Sequence, residues 1–223
     1  MSVCMSAGMN TLTLSVSALL LDMDGTLVCS TGDVEKVWRL WCEHQLEPEP
    51  VLAMCHGMRS REVIRALAPQ LDVEREAVRL DELEMLHTGG DAIPGAGELL
   101  GRLSPEHWAI VTSASEQVAR HRLSCAGLPL PHVLVGAEEV VNGKPDPEPY
   151  LLGAERLGAS PDRCLVFEDA SAGIESALRA GCTVVQVGGD APLNPAVVAV
   201  IRDWREVKVE LEEGDSLLVT LPA

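Results

Sequence analysis

From residue 108 onward the chain repeats one rhythm: a short apolar run, a turn, then a stretch with helical spacing. Apolar runs at 108–112, 133–135, 164–167 and 183–187 predict strands, and the stretches 115–125, 147–157 and 171–180, the last closed by Gly181, predict helices between them. Such alternation requires crossovers between parallel strands, so the expected class is α/β, a Rossmann-like three-layer core with helices on both faces of a parallel sheet. Composition agrees, because hydrophobic residues make up 47% of the 223 but aromatics only 3%, so the core must be built from Leu, Val, Ile and Ala. An earlier apolar run at 14–21 predicts the first strand, and segments 207–211 and 217–221 around Gly214-Asp215 predict a hairpin at the sheet edge.

The stretch 33–89 behaves differently. Val34, Val37, Trp38 and Trp41 recur at helical spacing, as do Val63, Ile64 and Leu67, then Leu71, Val78, Leu80 and Leu83. Pro48, Pro50, Gly57, Pro69 and Gly89-Gly90 divide it into about four helices, and residues 93–97 form a turn that opens a helix through Leu103. The expected organisation is a core of 14–30 and 91–223 with an inserted helical unit at 31–90. Residues 1–13 carry neither a basic segment nor a long apolar run and are expected to fray.

Thirty-four acidic against 17 basic residues leave a formal charge of −17, which repels nucleic acid and anionic membranes alike. An anionic ligand would need local cations working against that field. The seven cysteines, Cys4, Cys29, Cys42, Cys55, Cys125, Cys164 and Cys182, are odd in number, scattered and never in a CxxC pair, so they read as free thiols of a reducing compartment. A cytoplasmic location without a membrane span is expected.

In a parallel sheet of this kind ligands sit at the carboxyl ends of the strands. The first strand runs straight into Asp22-Met23-Asp24-Gly25-Thr26. At strand spacing the two carboxylates point the same way, and Gly25 lets the backbone turn away. Acids so close repel, so either a cation lies between them or one keeps its proton; a divalent metal on oxygen ligands and a nucleophile beside a general acid both fit. Three further strand ends carry polar groups. Thr112-Ser113-Ala114-Ser115 reads as an N-cap or as hydroxyls and amides for phosphate oxygens. Lys144-Pro145 reads as a turn lysine or as the cation such a site needs, and Glu168-Asp169 as an acidic helix start or as further metal ligands.

Taken in order, Asp22-Met23-Asp24-Gly25-Thr26, Thr112-Ser113, Lys144-Pro145 and Glu168-Asp169 resemble the four motifs of the haloacid dehalogenase superfamily. The match extends over nearly the whole chain past residue 14. The helical insertion resembles the four-helix cap of that superfamily's first cap class. Pro94-Gly95-Ala96, Gly143-Lys144-Pro145-Asp146-Pro147 and Phe167-Glu168-Asp169-Ala170-Ser171-Ala172-Gly173 look like the sugar-phosphate and hexitol-phosphate phosphatases of the beta-phosphoglucomutase-like subgroup.

The resemblance implies a magnesium-dependent phosphatase of small sugar or sugar-alcohol phosphate monoesters. Asp22 would be the nucleophile that forms an aspartyl-phosphate, and Asp24 the acid and base. Mg2+ would be held by Asp22, the backbone carbonyl of Asp24 and Asp169, with Glu168 in support. Ser113, or Thr112 beside it, would bind a phosphoryl oxygen, and Lys144 would neutralise that oxygen and Asp22. A second Asp argues against dehalogenation, whose halide leaving group needs no acid.

The segment Cys55-His56-Gly57-Met58-Arg59-Ser60-Arg61 resembles the part of the cap that reaches into the cleft, so His56 and Arg59 are the expected specificity residues; both also fit an ordinary polar surface loop. Trp38 and Trp41 suit packing within the cap or stacking on a sugar. Two alternative activities remain, a hexose phosphomutase and a non-catalytic sugar-phosphate-binding module. Related phosphomutases carry a His where this chain has Val34, which cannot relay a proton. Cys29-Ser30 stands where relatives commonly have Asp-Ser, so Cys29 is either a small apolar filler or an oxidisable thiol near the site. The expected partner is a small phosphorylated metabolite, the chain acting as a monomer or weak dimer.

Overall fold

A computed structural model of the protein describes residues 3–5, 11–43, 46–87, 89–188, 192–212 and 214–222. Its centre is a six-stranded parallel sheet in the order β5-β4-β3-β6-β7-β8, formed by β3 (Ala18–Leu21), β4 (Trp108–Val111), β5 (Val133–Val135), β6 (Cys164–Glu168), β7 (Thr183–Val187) and β8 (Ala199–Ile201). In register, Leu21 lies opposite Ile110 on one side and Phe167 on the other, which aligns the carboxyl ends of β4, β3 and β6.

Side chains alternate across this sheet with period two. Leu19, Leu21, Ile110, Leu165, Phe167 and Val185 enter one core, where α5 (Ala96–Leu100) and α6 (Glu116–Cys125) supply Leu99, Leu100, Ala119 and Leu123. Ala18, Leu20, Ala109, Val111, Val166 and Val184 enter the other, with Tyr150 and Ala154 of α7 (Glu148–Arg156) and Ile174 and Ala177 of α8 (Ser171–Arg179). Helices on both faces explain why each strand is an unbroken apolar run, and the expected three-layer α/β arrangement is the one observed.

The run at 14–21 is not one strand. It splits at Ser17, whose N–H donates to the Arg163 carbonyl at 2.7 Å, into β2 (Thr11–Val16) and β3. β2 joins a separate antiparallel sheet in the order β1-β2-β10-β9, with β1 (Val3–Met5), β9 (Lys208–Leu211) and β10 (Leu217–Pro222). The C-terminal hairpin therefore pairs with β2 and not with an edge of the parallel sheet. Burial explains the division: Leu14, Val16, Leu217, Val219 and Leu221 point inward from a sheet covered on one face, whereas all four residues of β3 are buried. One straight strand could not serve both environments. Of the amino-terminal segment expected to fray, Val3–Met5 pairs with β2, and residues 1, 2 and 6–10 lie outside the described residues.

The insertion forms four helices, α1 (Thr31–Cys42), α2 (Pro48–Cys55), α3 (Ser60–Leu67) and α4 (Val73–His87). They share an apolar centre of their own, including Val37, Trp41, Val51, Ile64 and Leu80. Trp38 and Trp41 meet edge to face at 5.4 Å, and the Trp41 indole donates to Glu76 Oε2 at 2.9 Å.

Trp204 ties the loop after β3 to the sheet. Its ring packs on Phe167 at 4.6 Å, its Nε1–H donates to the Thr26 carbonyl at 2.8 Å, and its backbone N–H donates to Pro94. Gly95 passes beneath with φ +88°, where a Cβ would lie 2.7 Å from the Arg205 nitrogen. Trp204→Ala is expected to lower unfolding free energy by about 3–5 kcal/mol through the cavity it leaves. Trp204→Phe, which removes the donor and leaves the Thr26 carbonyl short of a partner, should cost about 1–3 kcal/mol. Urea titrations with an unchanged slope would measure both.

Candidate active site

The acidic loop after β3 is fixed by its own backbone. Asp22 N–H donates to Phe167 O at 3.0 Å, Leu27 and Val28 N–H both return to the Met23 carbonyl, and Gly25 N–H closes on Val28 O at 2.8 Å. Gly25 has φ +78°, and a Cβ there would overlap the Asp169 carboxylate, so only glycine lets the two strand ends approach.

Lys144 reaches the same point and is 1% exposed. Its three ammonium protons go to Asp22 Oδ1 at 2.7 Å, Glu168 Oε1 at 2.6 Å and the Val111 carbonyl at 3.0 Å. Burial works against its charge, but Asp22 and Glu168 outweigh that and hold Lys144 above the usual lysine range. Glu168 is fully committed. Oε1 also accepts from Tyr150 Oη at 2.9 Å, and Oε2 accepts from the backbone N–H of Asp169 and Ala170.

Asp22 and Asp169 are less well compensated. Burial first, then the neighbouring Glu168 carboxylate, pushes Asp22 up to about 8 against the pull of Lys144. Burial followed by Asp22 and Glu168 pushes Asp169 up to about 9. Carboxylate oxygens of Asp22, Glu168 and Asp169 lie within 4.8 Å of one another. With Glu168 spent on Lys144, Tyr150 and two amides, Asp22 and Asp169 are the acids with the electrostatic need for a hard cation, and their donor set fits one. The Asp24 side chain points elsewhere: Oδ1 accepts from Ser30 Oγ at 2.5 Å and Oδ2 from Arg122 Nη1 at 2.6 Å.

A cleft opens above these acids, between the sheet and the helical unit. Asp22, Asp24, Thr112, Ser113 and Asp169 line its floor; Trp38, His56 and Met58 line the opposite wall. Ser113 Oγ donates to the Gly57 carbonyl at 2.8 Å, and Thr112 Oγ1 accepts from Ala114 N–H at 3.2 Å. His56 lies at the cleft with Nε2 3.1 Å from Glu35 Oε1. Trp41 is buried in the helical core, whereas Trp38 packs there and also faces the cleft. Val34 forms part of the wall.

Two expectations need correction. Arg59 does not line the cleft. Its Nη1 donates to the carbonyls of Ala137 and Val140, its Nη2 to Val141 O and Glu62 Oε1, and Glu62 Oε1 accepts in turn from Gly143 N–H. Every direction the guanidinium offers is taken by the joint between α3 and the loop before Lys144. Cys29 is exposed, so it is not an apolar filler; Cys29, Cys42, Cys55, Cys125, Cys164 and Cys182 are free thiols.

Arg122 and Glu84 line the cleft as well and were not anticipated. Arg122 Nη2 lies 3.3 Å from Glu84 Oε2, and burial, only partly offset by Arg122, pushes Glu84 up to about 7. A sequence signal existed, because Arg122 falls at i+4 and i+3 from Val118 and Ala119, and Glu84 at i+7 and i+4 from Ala77 and Leu80, on the buried faces of their helices.

Comparison with known proteins agrees with this geometry. Residues 16–181 match the model of the haloacid dehalogenase-like hydrolase family. The chain is 43% identical over 209 residues to hexitol phosphatase A of Escherichia coli, covering 90% of this chain and 97% of that protein. It is 33% identical over 190 residues to glycerol-1-phosphate phosphohydrolase 2 of Saccharomyces cerevisiae, covering 79% and 76% of the two chains. A hydrolase from Pseudomonas syringae of known structure superposes with a TM-score of 0.71 at 26% identity, over 84% of this chain and 94% of that one. With the motifs, the fold and the relatives in agreement, the chain belongs to the haloacid dehalogenase-like hydrolases.

Proposed function

We propose that this protein is a magnesium-dependent phosphatase of small sugar or sugar-alcohol phosphate monoesters. The observation that carries the reading is the meeting of Asp22 and Asp169, with Lys144 buried against Asp22, on the floor of a cleft whose other wall comes from a separate helical unit. The names of the relatives, a hexitol phosphatase and a glycerol-1-phosphate phosphohydrolase, point to the same substrate class.

In this reading an Asp22 carboxylate oxygen attacks phosphorus, the bond from phosphorus to the ester oxygen breaks, and Asp24, protonated on the oxygen that it releases from Ser30 while Arg122 keeps the other, gives the departing alkoxide its proton. Asp24 then takes a proton from the water that hydrolyses the aspartyl-phosphate, which returns Asp22 as a carboxylate. Mg2+, held by Asp22, Asp169 and the backbone carbonyl of Asp24, would supply positive charge opposite the nucleophile and the phosphoryl oxygens. Lys144 keeps Asp22 oriented and partly neutralised, and Ser113 and Thr112 offer hydroxyls to a phosphoryl oxygen. For Ser113 this means exchanging the Gly57 carbonyl for the ligand.

Residues 31–90 would act as a cap over a core of 14–30 and 91–223, to which β1 and the start of β2 also belong. His56, paired with Glu35, would meet the hydroxylated part of the substrate; a neighbouring groove of ≈ 550 Å³ shares Thr31, His56, Met58 and Asp169 with the cleft. Val34 disfavours the phosphomutase alternative, since an aliphatic side chain on the wall cannot relay a proton between two positions of a sugar. The paired Asp22 and Asp24 disfavour a binding module without turnover. The −17 charge fits action on a free metabolite in the cytoplasm, by a monomer or weak dimer that avoids nucleic acid and membranes. No helix among the described residues is long and apolar enough to span a membrane.

Phosphate release should be measured on hexitol, glycerol and hexose phosphates with and without Mg2+. Magnesium-dependent release that falls at least ~10³-fold in Asp22→Asn is expected; no release above that variant on any ester would remove the reading. The charge state of the floor gives a separate test. Without a cation, burial and the crowding of Asp22, Glu168 and Asp169 raise the proton affinity of the pair formed by Asp22 and Asp169, so a metal that binds there must displace a proton. Calorimetric titration with Mg2+ in two buffers of different ionisation enthalpy should show proton release on binding near neutral pH and affinity rising with pH. Binding without proton release would contradict this.

A further inference from the structure

Arg122 is an unusual residue to find where it is. It lies on the buried face of α6 beside Val118, Ala119 and Leu123, 1% exposed, and neither its Nε nor its Nη2 makes a well-formed hydrogen bond among the described residues. A buried ion pair contributes little net stability compared with apolar packing, and a buried donor without an acceptor subtracts from it. Packing alone would be better served by leucine or methionine. Yet two carboxylates from separate parts of the fold converge on this guanidinium: Asp24 from the loop after β3 at 2.6 Å and Glu84 from α4 of the helical unit at 3.3 Å. On its far oxygen Asp24 accepts from Ser30, so both of its oxygens are held.

We infer that Arg122 is a positioning residue for Asp24, fixing the carboxylate in one rotamer at the cleft, and that Glu84 ties this rotamer to the seating of the helical unit over the sheet. The inference rests on the role given to Asp24 under the proposed function. A guanidinium suits the task better than an ammonium, since its rigid fork fixes the direction as well as the distance of each bonded oxygen. Glu84 pairs by charge with the same guanidinium from the opposite unit, so displacement of α4 alters the electrostatic restraint on the group that holds Asp24.

The consequence is selective for the leaving group. An alkoxide leaving a polyol phosphate needs a proton delivered from a defined position, whereas a nitrophenolate leaves without one. Values of kcat/KM in saturating Mg2+ should therefore be compared for a hexitol phosphate and p-nitrophenyl phosphate, since this constant reports the first transfer and not the later hydrolysis. Arg122→Met is expected to lower kcat/KM about 10²-fold on the hexitol ester but less than about 5-fold on the aryl ester. Arg122→Lys should recover part of the loss, and Glu84→Gln should show the same asymmetry in smaller measure. Should Arg122→Met fail to fold, the lysine and glutamine variants, which keep size and polarity, carry the same ratio. An equal fall on both esters, or no fall on either, in the folded variants would overturn the inference. Wild-type protein inactive on both esters would instead remove the underlying assignment of Asp24, an outcome told apart by its appearance before any substitution.

Discussion

The ammonium group of Lys144 is the element on which the rest of the cleft depends. Three acids, Asp22, Glu168 and Asp169, converge beneath the helical unit, and the buried ammonium pairs directly with two of them. By donating to Asp22, Glu168 and the Val111 carbonyl together, Lys144 joins the ends of β3, β4 and β6 through one nitrogen. Burying that charge is costly in isolation and becomes tolerable because each of its protons has an acceptor. The sheet register makes this geometry possible, since Leu21, Ile110 and Phe167 lie level across three strands.

The acids divide their work according to their surroundings. Glu168, saturated by Lys144, Tyr150 and two amides, is a fixed negative support that holds the lysine in place. Asp22 and Asp169 remain undercompensated, and Asp24 is turned aside to Ser30 and Arg122. Three kinds of environment thus separate residues of nearly identical chemistry, and in the proposed function these become a support, a cation-binding pair and a proton carrier.

Much of this was legible in the chain because strand ends in a parallel sheet converge, so polar residues placed just after apolar runs declare themselves. Asp22, Thr112, Ser113, Glu168 and Asp169 all announce themselves that way, and the four helices of the insertion follow from their apolar spacing. The break at Ser17 was hidden because Leu14, Val16 and the residues of β3 are equally apolar, and only the number of covered faces differs. Arg122 and Glu84 were missed because charged residues on a helix are read as solvated, although their spacing put them on the buried face. Arg59 was misread for a different reason: its partners are carbonyls of the main chain at 137–141, which every sequence possesses and none reveals.

That last point bears on how such a joint can change over time. Arg59 recognises Ala137, Val140 and Val141 through backbone oxygens alone, and the Val141 side chain is 82% exposed. The Val141 side chain can drift without altering the grip on the helical unit, so long as the path of the chain is preserved, whereas Ala137 and Val140 are also held by burial. A single inserted or deleted residue would shift every acceptor out of line at once. The junction thus tolerates substitution at its exposed positions and resists changes of length, so surface chemistry there can vary while the relation between the two walls of the cleft stays the same.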